Sequence, residues 1–304
     1  MVPLRLNRRR FLGCSAAAGI ALTQGHVAEA ASSLEPVRLG FIGLGNRGTS
    51  LLRTALELPG IEVVAISDIE EKHAVRACAI AEKASKHRPD RIESASRLLE
   101  RDDLDGVVIA VPCDLHAGLY QLAIRAGKHL FAEKPLALTL ADCDALISES
   151  SKSSSVIVHV GHQRRSNPRI REGIELIRAG DLGDLIEARA LWTSSNGPVQ
   201  GHRGWLGQRA RSGDWMVEQA VHVWDLLHWV ADALPDHAYG VGRKDVFAAT
   251  EPDRDVTDWY HTELGWPSGF HASLTHSWID PSDDAFTGNT QKILGTKGGD
   301  QVKF

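Results

Sequence analysis

The chain has 304 residues, 43% of them hydrophobic and 24% charged, an ordinary globular composition with enough length for two domains that each bury a core. Formal net charge is -5. The first thirty residues hold Arg5, Arg8, Arg9 and Arg10 against Glu29, so the body is more acidic still, which argues against nucleic acid or an anionic membrane surface as partner.

Those first thirty residues read as a targeting segment. Asn7-Arg8-Arg9-Arg10-Phe11-Leu12 is a twin-arginine signature, Phe11 to Leu22 a modest apolar core, and Ala28-Glu29-Ala30 a small-residue cleavage site. The mature chain is expected to begin near Ala31 and to be periplasmic or secreted, with the twin-arginine export machinery as partner. That route carries folded proteins, and it suits a chain that must collect a cofactor first. No other segment is apolar enough to span a bilayer, so no stable membrane anchor is expected. Only Cys78, Cys113 and Cys143 remain after cleavage, an odd number without a CxxC, and no disulfide framework is implied.

The first element after the signal is an apolar run, Val37, Leu39, Phe41 and Ile42, read as a buried strand and followed at once by Gly43-Leu44-Gly45-Asn46-Arg47-Gly48. Leu51, Leu52, Ala55 and Leu56 then recur at helical spacing until Pro59-Gly60. In this context Gly43 permits a tight turn, Gly45 lets the backbone approach a pyrophosphate, and Gly48 lets helix and strand pack closely. A second strand, Ile61 to Ser67, ends in Asp68, a carboxylate placed for the adenosine ribose hydroxyls and repulsive to a 2′-phosphate. The expected cofactor is NAD.

Alternation continues with a helix over 71–85 whose inner face is Ala74, Ala77, Cys78 and Ala81, a polar link over 86–90, a short helix near 96–99, and the continuous apolar run Gly106 to Val111 that a doubly covered parallel strand requires. A helix over 115–126, a strand over 128–132, a helix over 139–151 and a strand over 156–160 complete a doubly wound sheet. A boundary is expected near Gly161, giving a Rossmann domain over 31–160 and a second domain over 161–304. The second reads as a helix over 168–179, a strand over 185–192, a Gly- and Arg-rich loop over 194–212, a helix over 215–231, and four strands over 238–246, 256–264, 270–278 and 291–294. Strands without intervening helices imply an open, mostly antiparallel sheet in an α+β domain.

Three constellations carry chemistry. Glu133-Lys134-Pro135 follows a strand directly and so sits at the carboxyl edge where such sheets bind ligands; an amine there can lose a proton or stabilise an alkoxide. On the expected helix over 215–231, Glu218, His222 and Asp225 recur at i, i+4 and i+7, which places them on one face. A carboxylate one turn from an imidazole can orient it as a general base, and a core histidine bonded to a backbone carbonyl is the equal alternative. The third is Gln163-Arg164-Arg165, either a solvated pair or a contact to polar ligand groups. Among the 14 histidines there is no HExxH and no Cys/His cluster, so no metal site is expected.

Gly43 to Gly48, Asp68, Val111-Pro112 to His116, Gly127-Lys128-His129 leading to Glu133-Lys134-Pro135, and Gly161 to Pro168 together resemble the Gfo/Idh/MocA oxidoreductases over about residues 37–298. The resemblance implies a Rossmann domain followed by an open-sheet domain, NAD bound through Gly43, Gly45, Asn46, Arg47, Gly48, Asp68, Pro112, His116, Glu133 and Lys134, catalysis by Lys134 and His222 with Glu218 as orienter, and substrate contacts from Arg165 and Asp225. Glutamate stands at 218 where the family has aspartate, and His116 is equally readable as structural. The implied activity is hydride transfer between a sugar or cyclic polyol and a tightly held nicotinamide. A redox-neutral NAD-dependent glycosidase and a non-catalytic NAD-containing binding protein are the alternatives. Because the chain stops at Phe304, where family members continue, a short variant or fragment is expected, with an open sheet edge that invites a homo-oligomer.

Overall fold

The computed structural model describes residues 35–195, 204–281, 286 and 288–303. The twin-arginine segment and the middle of the 194–212 loop lie outside the described residues. Two compact units divide the chain between Val107 and Val108, inside a strand.

The first unit runs β1 (Val37–Ile42), α1 (Asn46–Glu57), β2 (Ile61–Ser67), α2 (Glu71–Ser85), β3 (Asp90–Arg91), α3 (Ala95–Leu99) and into β4 (Gly106–Ile109). β2 lies parallel to β1, and β3 parallel to β2. The face expected for α2 is the face it buries, Ala74, Ala77, Cys78 and Ala81, small residues that let a helix lie close. Gly40 in mid-strand has a packing reason, since a Cβ there would come 2.7 Å from Leu98 Cδ2. The polar link holds over 86–89, and Asp90 at its end opens β3, a strand that was not expected. Two residues are too few to show an alternation, and their pairing comes from Ala65 and Ile66.

In the second unit β4 continues, all four of its residues buried, and α4 (His116–Arg125), β5 (His129–Ala132), α5 (Leu140–Lys152) and β6 (Val158–Val160) follow. Thr139 caps α5 by accepting from Asp142 N, and Asn167 caps α6 (Pro168–Arg178) with proline at the first helical position. The first sheet has strand order β3-β2-β1-β4-β5-β6, doubly wound as expected.

β7 (Leu185–Thr193), α7 (Arg209–Ser212), α8 (Trp215–Glu218), α9 (Val221–Ala231), β8 (His237–Arg243), β9 (Trp259–Gly265), β10 (His271–Ser277), β11 (Gly288–Gly295) and β12 (Gly298–Lys303) complete the chain. Their sheet has order β12-β11-β7-β10-β9-β8. β7 and β10 run parallel and the other described pairs antiparallel, so the sheet is mixed with an antiparallel majority. β12 was not expected. Its glycine-led, polar start hides a strand that the hairpin with β11 creates. The inner face, with Ala188, Ala190, Tyr260, Leu274 and Ile293, packs on Ile170 and Ile174 of α6 and Val223, Leu226, Leu227 and Val230 of α9. Each such aliphatic side chain contributes roughly 1.5–3 kcal/mol by leaving water.

The single helix expected over 215–231 is instead two. Ala220 N donates to Trp215 O, five residues back, and His222 N to Gln219 O, so the four-residue ladder is interrupted. The carbonyl of Met216, which Ala220 would have used, accepts from the indole Nε1 of Trp224 at 2.8 Å. A side chain eight residues ahead thus satisfies the group that the break releases.

His276 on β10 is 1% exposed, stacked on Tyr260 at 5.0 Å between centroids, with Nε2 2.8 Å from Gln219 Oε1. Burial lowers its pKa from 6.5 to about 3. The folded state then binds fewer protons than the unfolded chain between those values, so stability is full above pH 6.5 and falls as pH drops toward 3, by about 1.4 kcal/mol per unit. Urea titrations at pH 7 and pH 5 are expected to show this loss, and His276→Phe, which keeps the stack, to lessen it.

Candidate active site

In the first unit the glycine loop joins β1 to α1. Gly43 has φ 84°, the left-handed region open to glycine. Gly45 caps α1 through its backbone alone, no acidic side chain lies in the first helical turn, and a Cβ built at Gly45 meets nothing within 4 Å. That open space before a twelve-residue helix is what a diphosphate needs. Gly48 is buried, whereas Asn46 and Arg47 are exposed. Asp68 accepts from Leu44 N at 2.5 Å and Glu70 N at 2.7 Å, with His73 Nδ1 at 3.5 Å. The carboxylate therefore ties the loop to the end of β2, and Oδ2, with a single donor, retains a lone pair for a ribose hydroxyl. The residues present fit an adenine dinucleotide.

In the second unit Lys134 leaves the carboxyl end of β5, before a cis Lys134-Pro135 bond. Its Nζ donates to Glu218 Oε1 at 2.5 Å and to the Glu218 backbone carbonyl at 2.7 Å, both side chains being about 15% exposed. The turn behind the lysine is braced. His116 is 1% exposed, with Nδ1 2.6 Å from Pro135 O and Nε2 3.0 Å from Val111 O. Burial lowers its pKa against the pull of those two carbonyls. Its ring thus joins the end of β4 to the lysine turn. Tyr120 Oη donates to Glu133 O, and Glu133 Oε2 accepts from Lys134 N. Pro112 opens the 3-10 turn over Cys113–Leu115. The Cys113 thiol beside it is pushed up to about 12 by burial and by Glu218, with Lys134 opposing.

Glu218 therefore bonds Lys134, a pairing that the one-face reading of Glu218 and His222 did not include. His222 itself is 7% exposed and stacks on Trp192 at 6.1 Å between centroids. Asp225, one turn further along α9, binds Arg165: Nε lies 2.9 Å from both carboxylate oxygens, while the guanidinium lies 4.9 Å over Trp229.

Sequence reasoning missed His162 here, and took Arg164 only as half of a pair that was either solvated or in contact with ligand. His162 Nδ1 is 3.8 Å from Asp225 Oδ2, and its pKa, lowered by burial, also feels Asp225, Arg165, Lys134 and Glu133. Arg164 is buried, with Nη2 3.2 Å from Asn289 Oδ1 and its cation 5.2 Å over Trp192; burial takes it to about 10. His162 lay inside a quoted motif, but nothing in its spacing marked it as central. Among the described residues no group of three His, Cys, Asp or Glu is placed to hold a metal ion, and no helix is long and apolar enough to cross a membrane.

Comparisons with known proteins agree with this layout. Residues 37–162 match the model for the oxidoreductase family with an NAD-binding Rossmann fold, and residues 170–299 the model for the GFO/IDH/MocA C-terminal domain. Inositol 2-dehydrogenase 3 of Saccharopolyspora erythraea is 31% identical over 197 residues, 64% of this chain and 54% of that protein. Alpha-N-acetylgalactosaminidase of Shewanella oneidensis is 31% identical over 166 residues, 53% of this chain and 36% of that protein. The chain thus spans between about a third and about half of these curated relatives. The fold is that of scyllo-inositol dehydrogenase from Lactobacillus casei, solved with NAD(H) and scyllo-inositol, at TM-score 0.75 and 18% identity over 88% of this chain and 75% of that one. With an NAD-binding Rossmann domain followed by its open-sheet partner, the chain belongs to the Gfo/Idh/MocA oxidoreductase family.

Proposed function

We propose that this protein moves hydride between a hydroxyl-bearing carbon of a sugar or cyclic polyol and NAD. The observation that carries the reading is the Lys134 ammonium, held by two acceptors of Glu218 at the carboxyl end of β5, with its third proton left to meet a substrate oxygen. NAD, when bound, supplies a reversible hydride acceptor. Gly43, Gly45 and Gly48 would hold its phosphates and Asp68 its ribose. As the C–H bond gives up hydride, the hydroxyl proton passes to His222 and Lys134 stabilises the developing negative charge on oxygen. Arg165 and Asp225, already bonded to each other, offer one polar edge for ring hydroxyls.

A second reading is redox-neutral cleavage of a glycoside, in which a transient ketone acidifies the neighbouring C–H and allows elimination. The Shewanella relatives favour it, since those at 30–31% identity bear glycosidase names. Export by the twin-arginine route is proposed from residues 1–30. It would require that reduced cofactor be recycled in place, which either a second substrate or the redox-neutral course supplies. An oligomer formed through the second sheet is proposed from its open edges.

Purified protein is expected to carry or take up NAD and to produce NADH absorbance with at least one member of a panel of inositols and hexoses, with His222→Ala abolishing the signal. Release of p-nitrophenol from an N-acetylgalactosaminide without net NADH would select the second reading. NAD bound with neither activity across both panels would leave only a binding protein.

A further inference from the structure

We propose that Asp214 is a positioning residue that sets Glu218 against Lys134. The geometry on which this rests begins with the lysine: because Nζ donates to the backbone carbonyl of Glu218 as well as to its carboxylate, the lysine is placed by the path of the α8 backbone. α8 is a single turn of four residues and cannot place itself. Beside Trp215, which is sunk in the core, what anchors it is Asp214. The backbone carbonyl of Asp214 accepts from Val217 N at 3.0 Å and Glu218 N at 2.9 Å, and its carboxylate from Trp215 N at 2.7 Å.

The same carboxylate, 5% exposed as a residue, reaches across to a different segment. It accepts from Thr257 Oγ1 at 2.7 Å, from Thr257 N at 3.2 Å, and from Arg209 Nη2 at 3.0 Å. Thr257 belongs to a stretch bound by buried ion pairs. Arg254, 2% exposed in its side chain, pairs with Glu251 at 3.1 Å and with the fully buried Asp258 at 2.8 Å, and donates to Thr257 O. Asp214 thus moors a short helical turn to an ionic platform.

Its backbone says that the carboxylate is needed. At φ 67° and ψ 169° Asp214 occupies a region that glycine enters freely and residues with a Cβ avoid. A turn with no further duty would carry glycine there, as the preceding Gly213 does at φ 77°. The hydrogen bonds of the side chain offset the strain.

The inference rests on the proposed role of Lys134 for its meaning in catalysis, but its test does not. Trace acetylation at fixed pH, followed by mass spectrometry, gives the reactivity of the Lys134 amine relative to the exposed Lys83. Glu218→Gln sets the value for a lysine whose ionic partner is gone. Asp214→Gly, which relieves the backbone while removing the carboxylate, is expected to raise the ratio about tenfold toward that value, and Asp214→Asn, which keeps an acceptor, to return most of it. Thr257→Val leaves Asp214 intact and removes one donor, for a rise of about threefold. It decides the matter if Asp214→Gly fails to fold. A wild-type ratio in folded Asp214→Gly or in Thr257→Val would overturn the proposal, even if melting temperature changed. Altered labelling in a protein that shows no hydride transfer would leave Asp214 in its role and reject only the functional reading.

Discussion

Replacing Lys134 with alanine is expected to lower kcat/KM by about a thousandfold on whichever polyol or sugar the wild type oxidises. The loss has two sources. The charge that would stabilise an alkoxide disappears, and Glu218, 15% exposed, keeps a carboxylate without its cation. The second effect costs stability on the order of 1–3 kcal/mol, because a half-buried group loses its charged hydrogen bond. Lys134→Arg should not rescue activity, since a planar guanidinium cannot reproduce two contacts made from one tetrahedral nitrogen. Steady-state kinetics with urea unfolding separates the two: a variant as active as wild type would remove the lysine from the chemistry, whatever its stability.

Substitution of Gly45 by valine should cost only about 1 kcal/mol of stability, because a Cβ there meets no neighbour and the loss is that of a glycine N-cap. NAD affinity should fall by about a hundredfold or more. The valine methyl groups would occupy the space in front of α1 and keep a diphosphate from the amide groups there, each charge-assisted contact being worth roughly 1.5–3 kcal/mol. Calorimetric titration of the stripped protein with NAD reads this directly. Gly43 is the instructive contrast: at φ 84° a substitution strains the turn itself, so a loss of binding there would not distinguish ligand from backbone. Unchanged affinity in Gly45→Val would mean that the nucleotide does not lie across this loop.

The first sheet was legible because each of its cues is local. Continuous apolar runs such as 106–109, small-residue faces such as Ala74 and Ala77, and a glycine at the start of α1 act within a few residues of where they stand. Lys134 was legible for the same reason, as a residue that directly follows a strand. What escaped was set by distant partners. The interruption after Glu218 has no glycine or proline to announce it, and it depends on an indole eight residues from the carbonyl it satisfies. Without that break Glu218 and His222 look like one catalytic face. The parallel contact of β7 with β10, some eighty residues apart in the chain, is equally invisible to periodicity, which reports faces and not neighbours. His162 drew no notice because one imidazole in a polar turn has no pattern, and only the fold surrounds it with four charged groups.

The split between α8 and α9 has a bearing on how this centre can change over evolutionary time. On an unbroken rod, any tilt that retuned the acid would drag the imidazole with it. Here the acid stands on a short turn moored to the segment around Thr257, and the imidazole on a longer cylinder seated over the sheet, so each has its own foundation. Drift in the loops could refit the amine's neighbour while the imidazole stayed where it was.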